Sequence, residues 1–233
     1  MSTDSDSGII GIDASRANNS QRTGTEWYAY NLIQELKKII PPTYRVVLYS
    51  REPLRNGLEL LPENWESAVL GWPPKYLWTQ ARLSWEMLRH PPDMLFVPVH
   101  ALPLILPRRR LVTFHDAAFK IWPDAYGALE RWYQEFAIWY AVARKSEIVS
   151  VSEFSKREFV RLCGADASRI TVTPLAYDPQ TYSPIADEGE LQAHLSRLGI
   201  SQPFFLFVGR IEWKKNISGL LRAFQLFRGS GGR

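Results

Sequence analysis

Several short stretches set reactive side chains where an apolar run gives way to a helical pattern. "RLVTFHD" ends in His115 and Asp116, an imidazole beside a carboxylate, and "MLFVPVH" ends in His100. "FFLFVGRIEWKKN" ends its apolar run in Gly209 and Arg210, then places Lys214 and Lys215 before Asn216. "DASRANNSQRTGTEWY" carries Gly24 between Thr23 and Thr25 just ahead of a helix. Backbone N–H groups at a helix start, with a glycine that allows close approach, suit an anion such as phosphate. Gly209, the fixed fork of Arg210 and Lys215 beside a helix N-terminus would together satisfy a diphosphate. A titratable His-Asp pair at a strand's carboxyl end is a candidate functional group in its own right.

Blander readings stay open beside these. An N-capped turn accounts for Gly24, and a solvated basic turn accounts for Lys214 and Lys215. His100 either lines the same crevice as His115 from a neighbouring strand or simply caps "FVPV". Other chemistry finds little support. The chain has no Gly-Lys-Ser/Thr Walker ending and no G-x-G-x-x-G fingerprint, which argues against ATP hydrolysis and NAD. No His or Cys spacing suggests zinc, and no metal is expected. Asp4-Ser5-Asp6 has an Asp-x-Asp pattern but lies in a tail with no strand before it. A net charge of +4 is too mild for a nucleic-acid protein.

The elements that must position these groups alternate. Apolar runs at 8–13, 45–50, 94–99, 110–116, 147–152, 169–175 and 204–210 read as strands. Between them, "EWYAYNLIQELKKII" puts Leu32, Ile33, Leu36 and Ile40 on one helical face, and "SKREFVRLC" opens with a Ser155 to Glu158 capping-box spacing. Strands that are apolar on both faces and separated by helices imply a parallel sheet covered on both sides. The expected fold is therefore α/β, a Rossmann-like doubly wound parallel sheet. Ligands of such sheets sit beyond the carboxyl ends of the strands, where these polar residues collect.

The expected organisation is a loose tail over 1–7, one Rossmann-like domain over 8–185 and the start of a second over 203–233. The linker begins at about 174, in the proline-bearing "PLAYDPQTYSPIADEGE". One strand and one helix after it bury too little to fold alone. The segment "KYLWTQARLSWEMLRH" (75–90) has Trp78, Arg82, Trp85 and Arg89, and reads either as a covering helix or as a basic helix lying on an anionic membrane. The lone Cys163 reads as packing. "MSTDSDSG" lacks the features of a signal peptide, and the most apolar window, 95–107, is shorter than the about 20 residues a membrane span needs. The expectation is a cytoplasmic protein, soluble or peripheral to the membrane.

Five blocks resemble a known family in its own order: "GIDASRANNSQRTGTEWYAYNLIQEL", "DMLFVPVHALPLILPRRRLVTFHDAAFKIWPD", "SEIVSVSEFSKREFVRL", "ITVTPLAYDPQTYSP" and "FFLFVGRIEWKKNISGLLRAF". The chain resembles the N-terminal half of a family 4 glycosyltransferase of the retaining GT-B type, over most of residues 8–228. That resemblance implies two facing Rossmann-like domains, the first binding mainly acceptor and the second mainly donor. It implies a nucleotide-sugar donor, such as GDP-mannose or UDP-glucose, and a glycan or lipid-linked acceptor. His115 matches the histidine that contacts the transferred sugar, with Asp116 as its neighbour. Arg210 and Lys215 match the pair that holds the donor diphosphate, and Gly24 lies near that phosphate. Thr25 and His100 fall on the acceptor side.

The chain departs from the family's pattern twice. Pro174-Leu175-Ala176 stands where Pro-Asn-Gly is usual, and no Glu is followed eight positions later by a second Glu. The resemblance then implies a hexosyltransferase, mannosyl- or glucosyl-like, that is inactive without the rest of its donor domain. The alternative is a non-catalytic acceptor- or partner-binding module that pairs with a separate C-terminal subunit.

Overall fold

The computed structural model describes residues 7–73, 76–99, 101–179, 181–201, 203–209 and 211–231, and the chain divides into two compact units between Leu175 and Ala176. The first unit is built on strands β1 (Ile9–Asp13), β2 (Arg45–Ser50), β3 (Trp65–Val69), β4 (Met94–Val97), β5 (Arg109–Phe114), β6 (Glu147–Ser150) and β7 (Ile170–Val172). They form one sheet of order β3-β2-β1-β4-β5-β6-β7, every neighbouring pair parallel. The fold is the α/β, Rossmann-like one that the alternating pattern implies.

The continuous apolar runs follow from burial on both faces, because successive side chains of a strand point to opposite sides. In β2, Val46 and Leu48 pack into one core with Ile33 and Ala29 of helix α1 (Gly24–Ile39), whereas Val47 and Tyr49 pack into the other. Leu32, Leu36 and Ile40 lie against the first of these cores, as their helical spacing requires. The second core is covered by α2 (Ser84–Arg89), α4 (Ala128–Ala143) and α5 (Glu153–Cys163), with Met87, Ile138 and Phe159 buried in it. The short α3 (Ala118–Ile121) lies between β5 and α4.

The sheet depends on one close approach. A Cβ on Gly11 would stand 2.6 Å from Cε2 of Tyr49 and 3.0 Å from Cγ of Pro92. The buried Tyr49 ring therefore lies close against β1, and burial pushes its phenol pKa up to about 12.

Three local readings of the sequence change. β3 was not among the expected strands: in "WESAV" Trp65 is buried and Glu66 is tied to Arg45 of β2 at 2.7 Å, so this edge strand lacks an apolar run. The cap of α5 is Ser152, whose Oγ accepts from Ser155 N at 3.0 Å; Ser155 is buried inside the helix and Glu158 pairs with Arg161. Residues 204–209, read as a strand, carry no ladder among the described residues, since a strand needs a neighbour to pair with.

The second unit holds α6 (Glu188–Arg197) and α7 (Ile217–Gly229), the latter preceded by a 3₁₀ turn over Trp213–Lys215. Phe205 meets Phe224 and Phe227 of α7 edge to face at 5.9 and 5.5 Å. Among its described residues only Leu195 is a buried hydrophobic side chain.

Replacing Gly11 with Ala should lower the unfolding free energy of the first unit by about 1–3 kcal/mol, the usual cost of forcing a methyl into a packed core. Urea unfolding followed by circular dichroism reads this, and an unchanged midpoint would show that Tyr49 has room to move.

Candidate functional site

Chain order puts the crevice of this sheet beyond β1 and β4. From β1 the sheet grows outward through β2 and β3, and from β4 it grows the other way, so the two connections diverge there. Asp13 ends β1 and is buried, accepting from Ser15 N at 2.9 Å. Burial raises its carboxyl pKa, against the Ser15 hydrogen bonds and the Arg16 charge.

The loop from Asp13 to α1 is held by a residue the sequence reading passed over. Glu26, at the third position of the helix, is buried and accepts from Thr23 N at 2.8 Å and from Asn19 Nδ2 at 2.5 Å, with Arg16 at 3.9 Å. Burial works to raise its pKa, but the Thr23 and Asn19 hydrogen bonds and Arg16 outweigh it and hold the carboxylate below its ordinary value. Thr23 to Glu26 has capping-box spacing, a signal that was available in "TGTE". Gly24, the first helical residue, is exposed, and a Cβ there would meet nothing within 4 Å. Thr25 follows it, half-buried. The first N–H groups of a helix have no intrahelical acceptor, so this end is open to an anion.

His115 leaves the carboxyl end of β5 one strand over from β4. Its carbonyl accepts from Ser155 Oγ at 3.0 Å, which fixes the backbone to α5. Its ring stands edge to face with Tyr28 at 4.8 Å, and the Tyr28 hydroxyl lies 3.3 Å from Oγ1 of buried Thr113. Tyr28 is four residues after Gly24, on the same helix face and about 6 Å along the axis. The structure thus brings the glycine loop and the histidine to one corner through Tyr28. His115 Nε2 is buried and has no hydrogen-bond partner among the described residues. A buried polar atom without a partner costs about 1–3 kcal/mol, which a ligand hydrogen bond would recover.

Burial lowers the His115 pKa, and the Asp116 carboxylate acts the other way by raising it. Asp116 itself is exposed, and its Oδ1 accepts from Ala118 N at 2.9 Å at the start of α3. The sequence reading did not place Tyr28 or Ser155 at the site, and took Ser155 for a helix cap: an aromatic on a helix face and a serine inside a helix carry no local signal of what they touch.

Lys215 belongs to the second unit, where it is exposed at the end of the 3₁₀ turn. Asn216 follows with φ 49°, and its side chain accepts from Gly219 N at 3.2 Å to cap α7. The lysine therefore precedes a helix start, as its place in "WKKN" suggests. Arg210 and His100 lie outside the described residues, as do Asp4 and Asp6. Within 75–90, Trp78 is buried with its indole donating to Leu70 O at 2.8 Å, whereas Trp85 is exposed under Arg89. No described helix is long and apolar enough to cross a membrane.

A family model, Glycosyltransferase Family 4, matches residues 22–181, which include Gly24, Tyr28, His115 and Ser155. The chain belongs to glycosyltransferase family 4. The O-antigen chain mannosyltransferase B of Escherichia coli is 31% identical over 146 residues, 62% of this chain and 38% of that protein. WaaG, a glycosyltransferase involved in lipopolysaccharide biosynthesis, superposes with TM-score 0.54 at 11% identity, over 83% of this chain and 52% of its own. HepE of Anabaena, solved in complex with UDP-glucose, gives TM-score 0.52 at 14% identity, over 84% and 50%. These two likenesses bear on the fold. The family 4 chain described here spans about half the length of those solved chains, and 38% of the curated relative.

The electrostatics of His115 can be read directly. Its titration, followed by NMR, should have a midpoint below 6.5, and Asp116→Asn should lower it further because the carboxylate that favours the imidazolium is gone. Since the folded state binds this proton less readily than the unfolded chain, the fold loses stability as pH falls below 6.5. An upward move in Asp116→Asn would contradict the assignment.

Proposed function

We propose that the protein transfers a hexosyl group, mannosyl or glucosyl, from a nucleotide-sugar such as GDP-mannose or UDP-glucose to a glycan or lipid-linked acceptor, with retention at the anomeric carbon. The observation that carries this reading is His115 Nε2, buried and without a partner among the described residues at the carboxyl end of β5, against Tyr28, which lies one helical turn from Gly24. Membership of family 4 and the mannosyltransferase relative support the class of reaction.

The chemistry asks for two things. Cleavage of the bond between the anomeric carbon and phosphate oxygen leaves a nucleoside diphosphate with growing negative charge, and an acceptor hydroxyl forms the new bond and gives up its proton. The α1 N-terminus at Gly24 would help to neutralise that leaving group without a metal. Arg210 and Lys215, which match the family's diphosphate-holding pair, are the candidates for that role in the second unit. The sugar meanwhile becomes oxocarbenium-like, so a cation facing it would oppose the reaction. Burial keeps the His115 imidazole neutral near neutral pH, where it hydrogen-bonds a sugar hydroxyl and adds no charge. Thr25 and His100 serve the acceptor side, and Asp116 sets the turn that follows His115.

A second reading is favoured by one observation. In the second unit Phe205, Leu206, Val208 and Leu226 are each more than two-thirds exposed, a surface that a separate subunit would cover. That reading is a non-catalytic module, and it predicts no transfer by any form of this chain.

Labelled hexose transfer from each nucleotide-sugar tests the proposal. His115→Ala should slow transfer by about 10²–10³-fold, the scale of losing one hydrogen bond to the reacting group, with the unfolding midpoint retained. Gly24→Val should raise the donor concentration needed for half-maximal rate while leaving the fold intact, because a side chain there meets only the ligand's space. Transfer by His115→Ala at the unaltered rate would overturn the reading.

A further inference from the structure

Between β1 and α1 the chain runs through residues 14–23 outside any strand or helix, and two of its own side chains tie it down. The first is Asn18, which is buried. Its Nδ2 donates to the carbonyls of Glu52 at 3.3 Å and Pro53 at 3.0 Å, and its Oδ1 accepts from Arg55 N at 3.0 Å. Both amide protons and the carbonyl are thus used on one stretch of the loop between β2 and β3. α1 grips that same loop from its other side. The Tyr30 hydroxyl donates to Asn56 O at 3.0 Å, and Lys37 Nζ donates to the carbonyls of Gly57, Leu58 and Leu60 at 3.2, 3.1 and 2.9 Å. Asn18 therefore fastens residues 14–23 to a platform carried by the very helix whose start they must set.

The second is Arg22, two residues before Gly24. Its Nε donates to Ala17 O at 2.8 Å, which closes the loop on itself. Its guanidinium lies 3.9 Å from the centre of the Tyr30 ring and 5.1 Å from that of Trp27, two rings that stand edge to face at 5.6 Å. Glu26, the carboxylate nearest in the chain, is taken up by Thr23, Asn19 and Arg16, and Arg22 forms no salt bridge among the described residues. Its Nη2 is buried, again without a partner among the described residues.

An unpaired cation just ahead of a helix N-terminus faces the positive end of the helix dipole, which is unfavourable. A planar guanidinium repays that by stacking on a ring and bonding a carbonyl at once, which an ammonium cannot do. An anion at the same helix end would offset the rest. His115 Nε2 is the independent mark of a ligand at this corner, and Tyr28 of α1 transmits the placement of the helix start to the His115 ring.

We propose that Asn18 and Arg22 are positioning residues: they hold residues 14–23 so that the first N–H groups of α1 keep one orientation toward the diphosphate of the donor. Neither side chain touches that ligand; both act through the backbone of Thr23, Gly24 and Thr25. The inference rests on the sugar-transfer reading for the identity of the ligand, whereas the holding of the loop does not.

Inorganic pyrophosphate, titrated into the unaltered chain and followed by the amide signals of Gly24 and Thr25 in NMR, tests it without needing turnover. Those signals should shift, and Asn18→Ala or Arg22→Gln should each weaken pyrophosphate binding by about tenfold, the scale of one hydrogen bond to a charged group. Arg22→Lys should weaken it as much as Arg22→Gln, and Asn18→Asp as much as Asn18→Ala, because the first keeps only the charge and the second turns a carboxylate oxygen toward two carbonyls. Amide hydrogen exchange should quicken over residues 14–25 in these variants and stay unchanged in β1 and β2. Pyrophosphate binding and loop exchange that follow this pattern in a chain that transfers no hexose would uphold the positioning and overturn the sugar-transfer reading alone. The proposal falls if pyrophosphate leaves Gly24 and Thr25 unmoved in the unaltered chain, or if Arg22→Lys binds it as the unaltered chain does, since Arg22 would then act as a charge. It falls equally if exchange quickens throughout the first unit while pyrophosphate binding is retained, the signature of a merely structural role.

Discussion

Every functional group of the first unit hangs from one constraint: in a wholly parallel sheet all strands end at the same edge. Asp13, His115 and Ser152 are far apart in the chain, yet each stands at or just past a strand's carboxyl end, and the ladder registers fix how far each strand reaches. Parallel pairing in turn requires a crossover for each strand, and those crossovers bury both faces. The close fit of Gly11 against Tyr49 and Pro92 shows how little slack remains in the middle of that arrangement.

On this scaffold the corner at His115 trades stability for readiness. Three contacts hold it: Ser155 on its carbonyl, Tyr28 on its ring and Thr113 behind the Tyr28 hydroxyl. The hydrogen bonds among them contribute about 1 kcal/mol each, similar to the cost of leaving Nε2 buried without a partner among the described residues. The imidazole is thus fixed in place with one hydrogen bond still to be made. Glu26 plays the complementary part at the glycine loop, since its carboxylate takes up Thr23 N and Asn19 and leaves the first N–H groups of α1 facing outward.

Much of the sheet was legible because central strands are apolar on both faces, and a run such as "RVVLYS" can hardly be anything else. β3 escaped for the opposite reason: at the edge only Trp65 is buried, and the Arg45 to Glu66 pair that secures it joins residues 21 apart. Residues 204–209 have the composition of a strand but no ladder among the described residues, since pairing is a property of two segments. His115 and Gly24 could be picked out by residue type and place in the pattern. Tyr28, Ser155 and Glu26 could not be assigned their roles so directly, because these rest on contacts across α1, α5 and the loop. Ser155 is the clearest instance: its spacing to Glu158 suits a cap, but Ser152 already fills that place and leaves Ser155 free to reach His115.

α4 shows where periodicity runs out. A helix that covers a sheet usually betrays its inward face by a single apolar stripe, yet "ALERWYQEFAIWYAVA" is apolar on two flanks, so spacing alone cannot say which is buried. In the structure Ala137, Ile138, Tyr140 and Ala141 are buried, while both indoles face out.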